Sequence, residues 1–286
     1  MSTPDGLPPL REVIRELGFS AKKSLGQNFL LDFNLTRRIA RAGAPLEGAT
    51  IVEVGPGPGG LTRALLLEGA AKVVAIEKDE RCLPALHAIA ALYPGRLDIL
   101  PADAREIDYG DLALPSPARV VTNLPYSVAT PLLVSWLKTV PWPPWFDRLV
   151  LMFQREVAMR IVAAAGGKDY GRLAVLSQWR TSPRILFTLP AEAFTPRPKV
   201  DSALVELVPR KAPELPCEVS ALEKVTAAAF GQRRKMLRSA LRQITPDSEA
   251  LLQGLGIDPK ARAEELDIAA FCRIANALSP HWRSKR

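Results

Sequence analysis

Val52-Glu53-Val54-Gly55-Pro56-Gly57-Pro58-Gly59-Gly60-Leu61-Thr62 runs from an apolar stretch through a glycine-rich turn into a segment that can be helical. Strand, tight turn and helix in that order open an α/β sheet of the kind that binds ligands at the turn. Further apolar runs follow at 73–76, 97–100, 120–121 and 149–153, and 51–54 is the first of the set. Helix-like stretches at 61–67, 83–92 and 130–137 separate several of them. Apolar strands joined by helices predict a parallel sheet covered on both faces. The fold class is α/β, a Rossmann-like sheet with helices on both faces.

Upstream, Leu10, Val13, Ile14 and Leu17 have helical spacing, and Gly18 can end that helix. Residues 22–30 read as a loop. A second amphipathic helix is expected near 33–43, with Leu35 and Ile39 inward and Arg37, Arg38 and Arg41 outward. Downstream, 172–179 and 202–208 suggest further strands, the second alternating as Ala203, Val205 and Leu207. Residues 209–216 look like a linker, and everything beyond reads as helix. Ile268, Phe271, Cys272, Ala275 and Leu278 form one apolar stripe, which makes Cys272 a core residue. The expected domains are 1–210, carrying the sheet and the N-terminal helical segment, and 211–286, small and all-helical.

The 286 residues are 48% apolar and 24% charged, ordinary for a soluble globular protein. No stretch nears the roughly 18 apolar residues of a membrane span, and no signal peptide is visible at the start. With Cys82, Cys217 and Cys272 far apart and two histidines in the chain, no metal site is expected. The chain reads as cytoplasmic, with no membrane partner. The net charge of +8 favours a polyanion. Between 224 and 244 stand Lys224, Arg233, Arg234, Lys235, Arg238 and Arg242 with no acid among them. Such a stripe binds phosphate backbones by counterion release; it can equally be a solvated helix face.

Gly55, Gly57 and Gly60 satisfy the G-x-G-x-x-G pattern, and Glu77 ends the next strand about 20 residues on, where an acid holds ribose hydroxyls. A nicotinamide oxidoreductase is therefore one reading. The prolines favour another. A pyrophosphate cradle works through backbone N–H groups, and Pro56 and Pro58 have none. A neutral or zwitterionic ligand without phosphate, such as S-adenosylmethionine, suits this turn better. Asp103 and Asn123 follow the next two strands and would converge with Gly55 and Glu77 on one crevice. Asp103 could accept from the cofactor's adenine amino group, or cap a helix.

Asn123-Leu124-Pro125-Tyr126 follows a strand and is shaped for an exocyclic amine on a flat base. The Asn123 side-chain oxygen and the Leu124 carbonyl can accept both N–H bonds of one amino group. Pro125 restricts the residue before it and so fixes that carbonyl. Tyr126 offers a ring on which a purine can stack. The chemistry implied is methyl transfer to an adenine amino group.

Four segments in order carry a family resemblance: 23–30 (Lys-Ser-Leu-Gly-Gln-Asn-Phe-Leu), 55–59, 123–126 and 194–203 (Phe-Thr-Pro-Arg-Pro-Lys-Val-Asp-Ser-Ala). Together, over roughly residues 20–280, the chain resembles ribosomal RNA adenine N6,N6-dimethyltransferases, which modify two adjacent adenines in a hairpin loop near the 3′ end of small-subunit rRNA. The resemblance implies a class I methyltransferase domain, a small helical C-terminal domain, S-adenosylmethionine as cofactor and no metal. Asn28 and Leu30 would contact the methionine end, with Gly55 beneath it. Glu77 would hold the ribose, Asp103 the adenine, and Asn123 would face both cofactor and target. Phe194 would cover the target base opposite Tyr126. Lys22, Lys23, Arg233, Arg234, Lys235 and Arg238 would bind RNA. The partner implied is small-subunit rRNA in a pre-ribosomal particle, with the protein acting as a monomer. Ser127-Val128 departs from the more usual Asn-Ile. A relative acting on a large-subunit adenine remains an alternative.

Overall fold

The computed structural model describes residues 4–18 and 28–283; Lys22 and Lys23 lie outside the described residues. Two compact units are present. The first comprises Met1–Trp136, Pro144–Ala158 and Arg184–Val208, and the second Leu137–Pro143, Met159–Pro183 and Pro209–Arg286. The last change of unit falls beside the linker, near the expected cut after residue 210. The two internal segments that also join the second unit were not expected. Their membership is set by tertiary packing, which local composition does not encode.

In the first unit, helix α1 (Leu10–Glu16), the short strand β1 (Phe29–Leu30) and helix α2 (Phe33–Ala42) precede the sheet. Then come β2 (Thr50–Val54), α3 (Gly60–Leu67), β3 (Lys72–Glu77), α4 (Leu83–Leu92), β4 (Leu97–Pro101), β5 (Ala118–Thr122), α5 (Tyr126–Leu137) and β6 (Arg148–Gln154). After α6 (Arg155–Val162) and α7 (Arg172–Arg180) follow β7 (Thr181–Leu189), β8 (Phe194–Thr195) and β9 (Ser202–Pro209). Among the described residues the main sheet runs β4-β3-β2-β5-β6-β9-β7. β4, β3, β2, β5 and β6 run parallel to one another, and β9 is antiparallel to β6. Every residue of β2 and β5 is buried, as strands covered on both faces require.

Two expectations are corrected. Residues 172–179 are not a strand but helix α7. Ala174, Val175, Leu176, Ser177, Trp179 and Arg180 are all buried, so the segment shows no polar face, and a short apolar run without a face does not reveal its period. The neighbouring β7 escaped notice because Pro183 and Arg184 interrupt it, a composition tolerated at a sheet edge. In β9 the alternation of Ala203, Val205 and Leu207 is real but incomplete: Leu204 and Glu206 are buried as well. Glu206 is held by Arg148 at 2.8 Å and by Arg184.

The second unit is helical after residue 209, with α8 (Val219–Gly231), α9 (Leu237–Leu241), α10 (Ser248–Gly254) and α11 (Ile268–Arg283). The expected α11 stripe is buried, Cys272 with it. Phe271 packs on Phe230 with ring centroids 5.4 Å apart, and Phe230 on Tyr170 at 5.9 Å.

Candidate active site

The chain order reverses at β2: β3 and β4 lie on one side of it, β5 and β6 on the other. Ligands of open α/β sheets sit beyond the carboxyl ends of the strands at such a switch point. A cavity of 630 Å³ opens there, lined by the loops after β2, β3, β4 and β5 and by Asn28, Phe29 and Leu30. That volume falls within the range of small-molecule sites.

The glycine turn forms the floor. Gly55, Gly57 and Gly59 have φ of 65°, 57° and 87°, a region that costs residues with a Cβ. A Cβ on Gly59 would stand 2.2 Å from Ile89 Cδ1, and one on Gly57 3.2 Å from the Phe29 ring. The donors of this turn are already committed. Gly55 N–H donates to the Ile76 carbonyl at 2.8 Å and Gly59 N–H to Pro56 O at 3.1 Å. Gly57 N–H donates to Glu77 Oε2 at 2.8 Å. Pro56 and Pro58 have no N–H to offer. Residues 55–59 thus present no spare donor to a pyrophosphate, which weighs against the nicotinamide reading.

Glu77 ends β3 and is 6% exposed. Its second oxygen accepts from Asp79 N–H at 2.7 Å. Burial raises its pKa, while the bonds from Asp79 and Gly57 oppose that shift. Glu77 lines the cavity, and a carboxylate oxygen that accepts one bond can accept another. Asp103 follows β4. Its carboxylate accepts from Arg105, through Nε at 3.0 Å, Nη2 at 2.6 Å and the backbone N–H at 3.1 Å, and from Lys78 Nζ at 2.9 Å. The Arg105 and Lys78 bonds hold its pKa far below the usual carboxylate range. No helix begins after Asp103; it closes a turn instead, so the capping alternative falls away.

Asn123, Leu124, Pro125 and Tyr126 line the same cavity. The Thr122 hydroxyl donates to the Val54 carbonyl at 2.5 Å, tying the end of β5 to the end of β2. Pro125 Cδ lies 3.6 Å from where a Cβ on Gly55 would be, so the two loops are in near contact. The Asn123 amide nitrogen points to the Asn28 carbonyl at 3.5 Å, a long bond that leaves the amide oxygen on the other side. The Pro125 carbonyl accepts from Val128 and Ala129 and starts α5. Among the described residues no backbone N–H donates to the Leu124 carbonyl. The Tyr126 hydroxyl and Ser202 Oγ are 2.6 Å apart, and burial raises the phenol's pKa.

Phe194 stands apart from the cavity lining. Its register partner in the small antiparallel sheet is Leu30, and at 3% exposure it belongs to the hydrophobic core, not to the cavity wall. The apolar interior at the foot of β1 takes the ring that sequence reasoning assigned to the target base. The basic stripe is also divided. Residues 232–236 form a turn, not a helix face. Arg233 pairs with Glu264 at 2.6 Å and donates to the Lys168 carbonyl; Arg238 pairs with Glu249 at 2.8 Å. Arg234, Lys235 and Arg242 are exposed.

Several residues that line the cavity were missed, two of which bear on its chemistry or its wall. Glu53 sits in mid-strand, 2% exposed, accepting from the Thr62 hydroxyl at 2.7 Å. Burial pushes its pKa up to about 8, helped by the nearby Glu77 charge and opposed by Thr62. An ionisable residue between two valines of a doubly covered strand was the available signal. The other is Leu10 of α1, which had no signal beyond its helical spacing.

Comparisons agree with this geometry. The model of the ribosomal RNA adenine dimethylase family matches residues 18–279. A ribosomal RNA small subunit methyltransferase A of Xanthobacter autotrophicus is 62% identical, over 98% of this chain and 96% of its own length. The protein of that name from Cereibacter sphaeroides is 58% identical, over 98% and 100%. Among solved structures, a dimethyladenosine transferase from Plasmodium falciparum superposes with a TM-score of 0.70 at 22% identity, over 87% of this chain and 95% of that one. The 23S rRNA methyltransferase ErmE gives 0.64 at 26%, over 88% and 100%. The fold is that of the class I methyltransferases. A phosphate-shy glycine turn, acids at two strand ends and the Asn-Leu-Pro-Tyr loop on one cavity thus accord with the match along the chain: it belongs to the ribosomal RNA adenine dimethylase family.

Proposed function

We propose that this chain transfers methyl groups from S-adenosylmethionine to N6 of two adjacent adenines in a hairpin loop near the 3′ end of small-subunit rRNA. The product is N6,N6-dimethyladenine, made on a partly assembled particle by a protein monomer. The observation that carries this reading is the loop at 123–126. Its side-chain oxygen and its unclaimed Leu124 carbonyl share a cavity wall with a glycine turn that has no donor left for phosphate.

The residues suit the cofactor. Glu77 offers acceptor oxygens for two ribose hydroxyls, and Asp103, which now accepts four bonds from Arg105 and Lys78, takes the adenine amino group once Lys78 Nζ gives way. Gly55, Asn28 and Leu30 line the same cavity, Gly55 beside Pro125 and Asn28 beside Asn123. When bound, S-adenosylmethionine supplies a methyl group on a positively charged sulfur. The chain's own work is orientation and electrostatic placement. Asn123 Oδ1 and the Leu124 carbonyl accept the two amino protons of the target, which favours a pyramidal N6 with its lone pair aimed along the cavity. Tyr126 stacks on the extruded base, and leaving the stack costs less in a loop than in a duplex. No buried base is needed, because the methylated cation sheds its proton readily. The second transfer proceeds with one of the two acceptors idle.

The test is incubation of the purified protein and labelled S-adenosylmethionine with immature small subunits and, in parallel, with large-subunit RNA, followed by mass spectrometry of both RNAs. Paired dimethyladenines near the 3′ end support the proposal; label confined to large-subunit RNA or absent overturns it.

A further inference from the structure

The segment 4–18 belongs to none of the motifs discussed, yet α3 grips it. The Asp5 carboxylate takes two bonds from the Arg63 guanidinium, Nε to Oδ2 and Nη2 to Oδ1, each 2.6 Å. The paired side chains are 0% and 3% exposed. Arg63 Nη1 donates to the Pro8 carbonyl at 2.8 Å, and the guanidinium lies 5.5 Å above the centre of the Phe33 ring. A buried two-point carboxylate–guanidinium pair fixes direction as well as distance. Arg63 stands on the first turn after the glycine loop, so the helix that starts at the cavity floor also holds the N-terminal strap.

The rest of the strap depends on that anchor. α1 is seven residues long, has no side-chain cap and buries no residue fully; alone, a helix that short does not persist. Leu7, Ile14 and Leu17 rest against the core. Leu10, two residues beyond the bonded Pro8 carbonyl, lines the cofactor cavity. Its Cδ2 would be 2.8 Å from a Cβ on Gly60, so the strap seats directly on the start of α3.

We propose that Leu10 is a further cofactor-binding residue, supplying apolar cover to S-adenosylmethionine, and that Asp5 and Arg63 are positioning residues that keep it on the cavity wall. The proposal rests on the methyl-transfer reading of this cavity. It makes the N-terminal strap a part of the cofactor site that the glycine, Asn-Leu-Pro-Tyr and strand-end motifs do not include.

The experiment measures S-adenosylhomocysteine binding by calorimetry, and KM for S-adenosylmethionine and for RNA separately, on full-length wild type, Leu10→Ala, Leu10→Met and Asp5→Asn. Leu10→Ala and Asp5→Asn should each weaken S-adenosylhomocysteine about tenfold, the scale of one lost apolar contact. KM for the methyl donor should rise with it, while KM for RNA stays within about twofold, the margin below which no binding energy has moved. Leu10→Met should restore most of the affinity. A structural staple alone would lower the melting temperature without splitting the two KM values. Should Asp5→Asn fail to fold, Leu10→Ala decides, because Leu10 is only half-buried. Unchanged affinity in Leu10→Ala overturns the proposal; absence of binding by wild type overturns the methyl-transfer reading instead.

Discussion

The Tyr126 hydroxyl and the Ser202 hydroxyl lie 2.6 Å apart, joining the last residue of the Asn-Leu-Pro-Tyr loop to the first residue of β9. Ser202 is fully buried, so the bond fixes where the tyrosine ring stands. Tyr126→Phe keeps the ring and removes the bond. It should raise KM for RNA about fivefold, the equivalent of one net hydrogen bond. Ser202→Ala should do the same, and the double variant should be no worse than either. Steady-state kinetics on the four proteins checks this; additive losses would mean the two side chains act independently.

Asn123→Ala should lower kcat by about two to three orders of magnitude, the usual scale for removing one oriented acceptor or donor at a reacting centre. Binding of S-adenosylhomocysteine should fall by much less, since Glu77 and Asp103 remain. Single-turnover methylation and calorimetry on the same preparation compare the two effects. A variant that dimethylates at near-normal rate would sink the proposed mechanism.

Glu53 titrates near 8 in the folded chain and near 4.3 when unfolded. Between those values the folded state holds a proton that the unfolded state has lost. Its contribution to stability is therefore complete below about pH 4.3 and disappears as pH climbs through about 8. Over that window the loss is on the order of a few kcal/mol. Glu53→Gln does not titrate, so its melting temperature should fall less than that of wild type between pH 5 and pH 8.5. Parallel melting curves would show that Glu53 is ionised in the fold.

The basic residues of the second unit should separate into two classes. Replacing exposed Arg234 and Lys235 by Ala should reduce the slope of log affinity against log salt by about 1.5, the share of two phosphate contacts on single-stranded RNA. Replacing Arg233 should instead lower thermal stability, because Glu264 and the Lys168 carbonyl lose their partner. Filter binding across a salt series, with melting curves alongside, tests both; an unchanged slope for the first pair would make that turn a merely solvated surface.

Apart from β7, the sheet was legible because its strands are largely apolar and its helices periodic, so local pattern and global fold agree. The crevice was legible because the chemistry sits at strand ends, which a pattern of strands locates. Three things were hidden. α7 has no polar face to reveal its period. Phe194 looks like an aromatic clamp by motif, and only the pairing of β1 with β8 shows that its ring is core. The partners of Arg233 and Arg238 come from Glu264 and Glu249, 31 and 11 residues away, so a count of charges along 224–244 could not foresee them.

The placement of β9 has a consequence for how the protein is made. β6 is flanked by β5 and by β9, and β9 is the last strand to be synthesised. Until it docks, one side of β6 offers unpaired backbone groups, an invitation to wrong pairing. A polypeptide cut off before Ser202 would hold all the residues proposed to grip the methyl donor, yet leave Tyr126 without its hydroxyl partner and the nascent sheet with a raw border. Completion of the catalytic half therefore waits on residues made after nearly everything else in it, and shortened versions for laboratory use should end no earlier than Pro209.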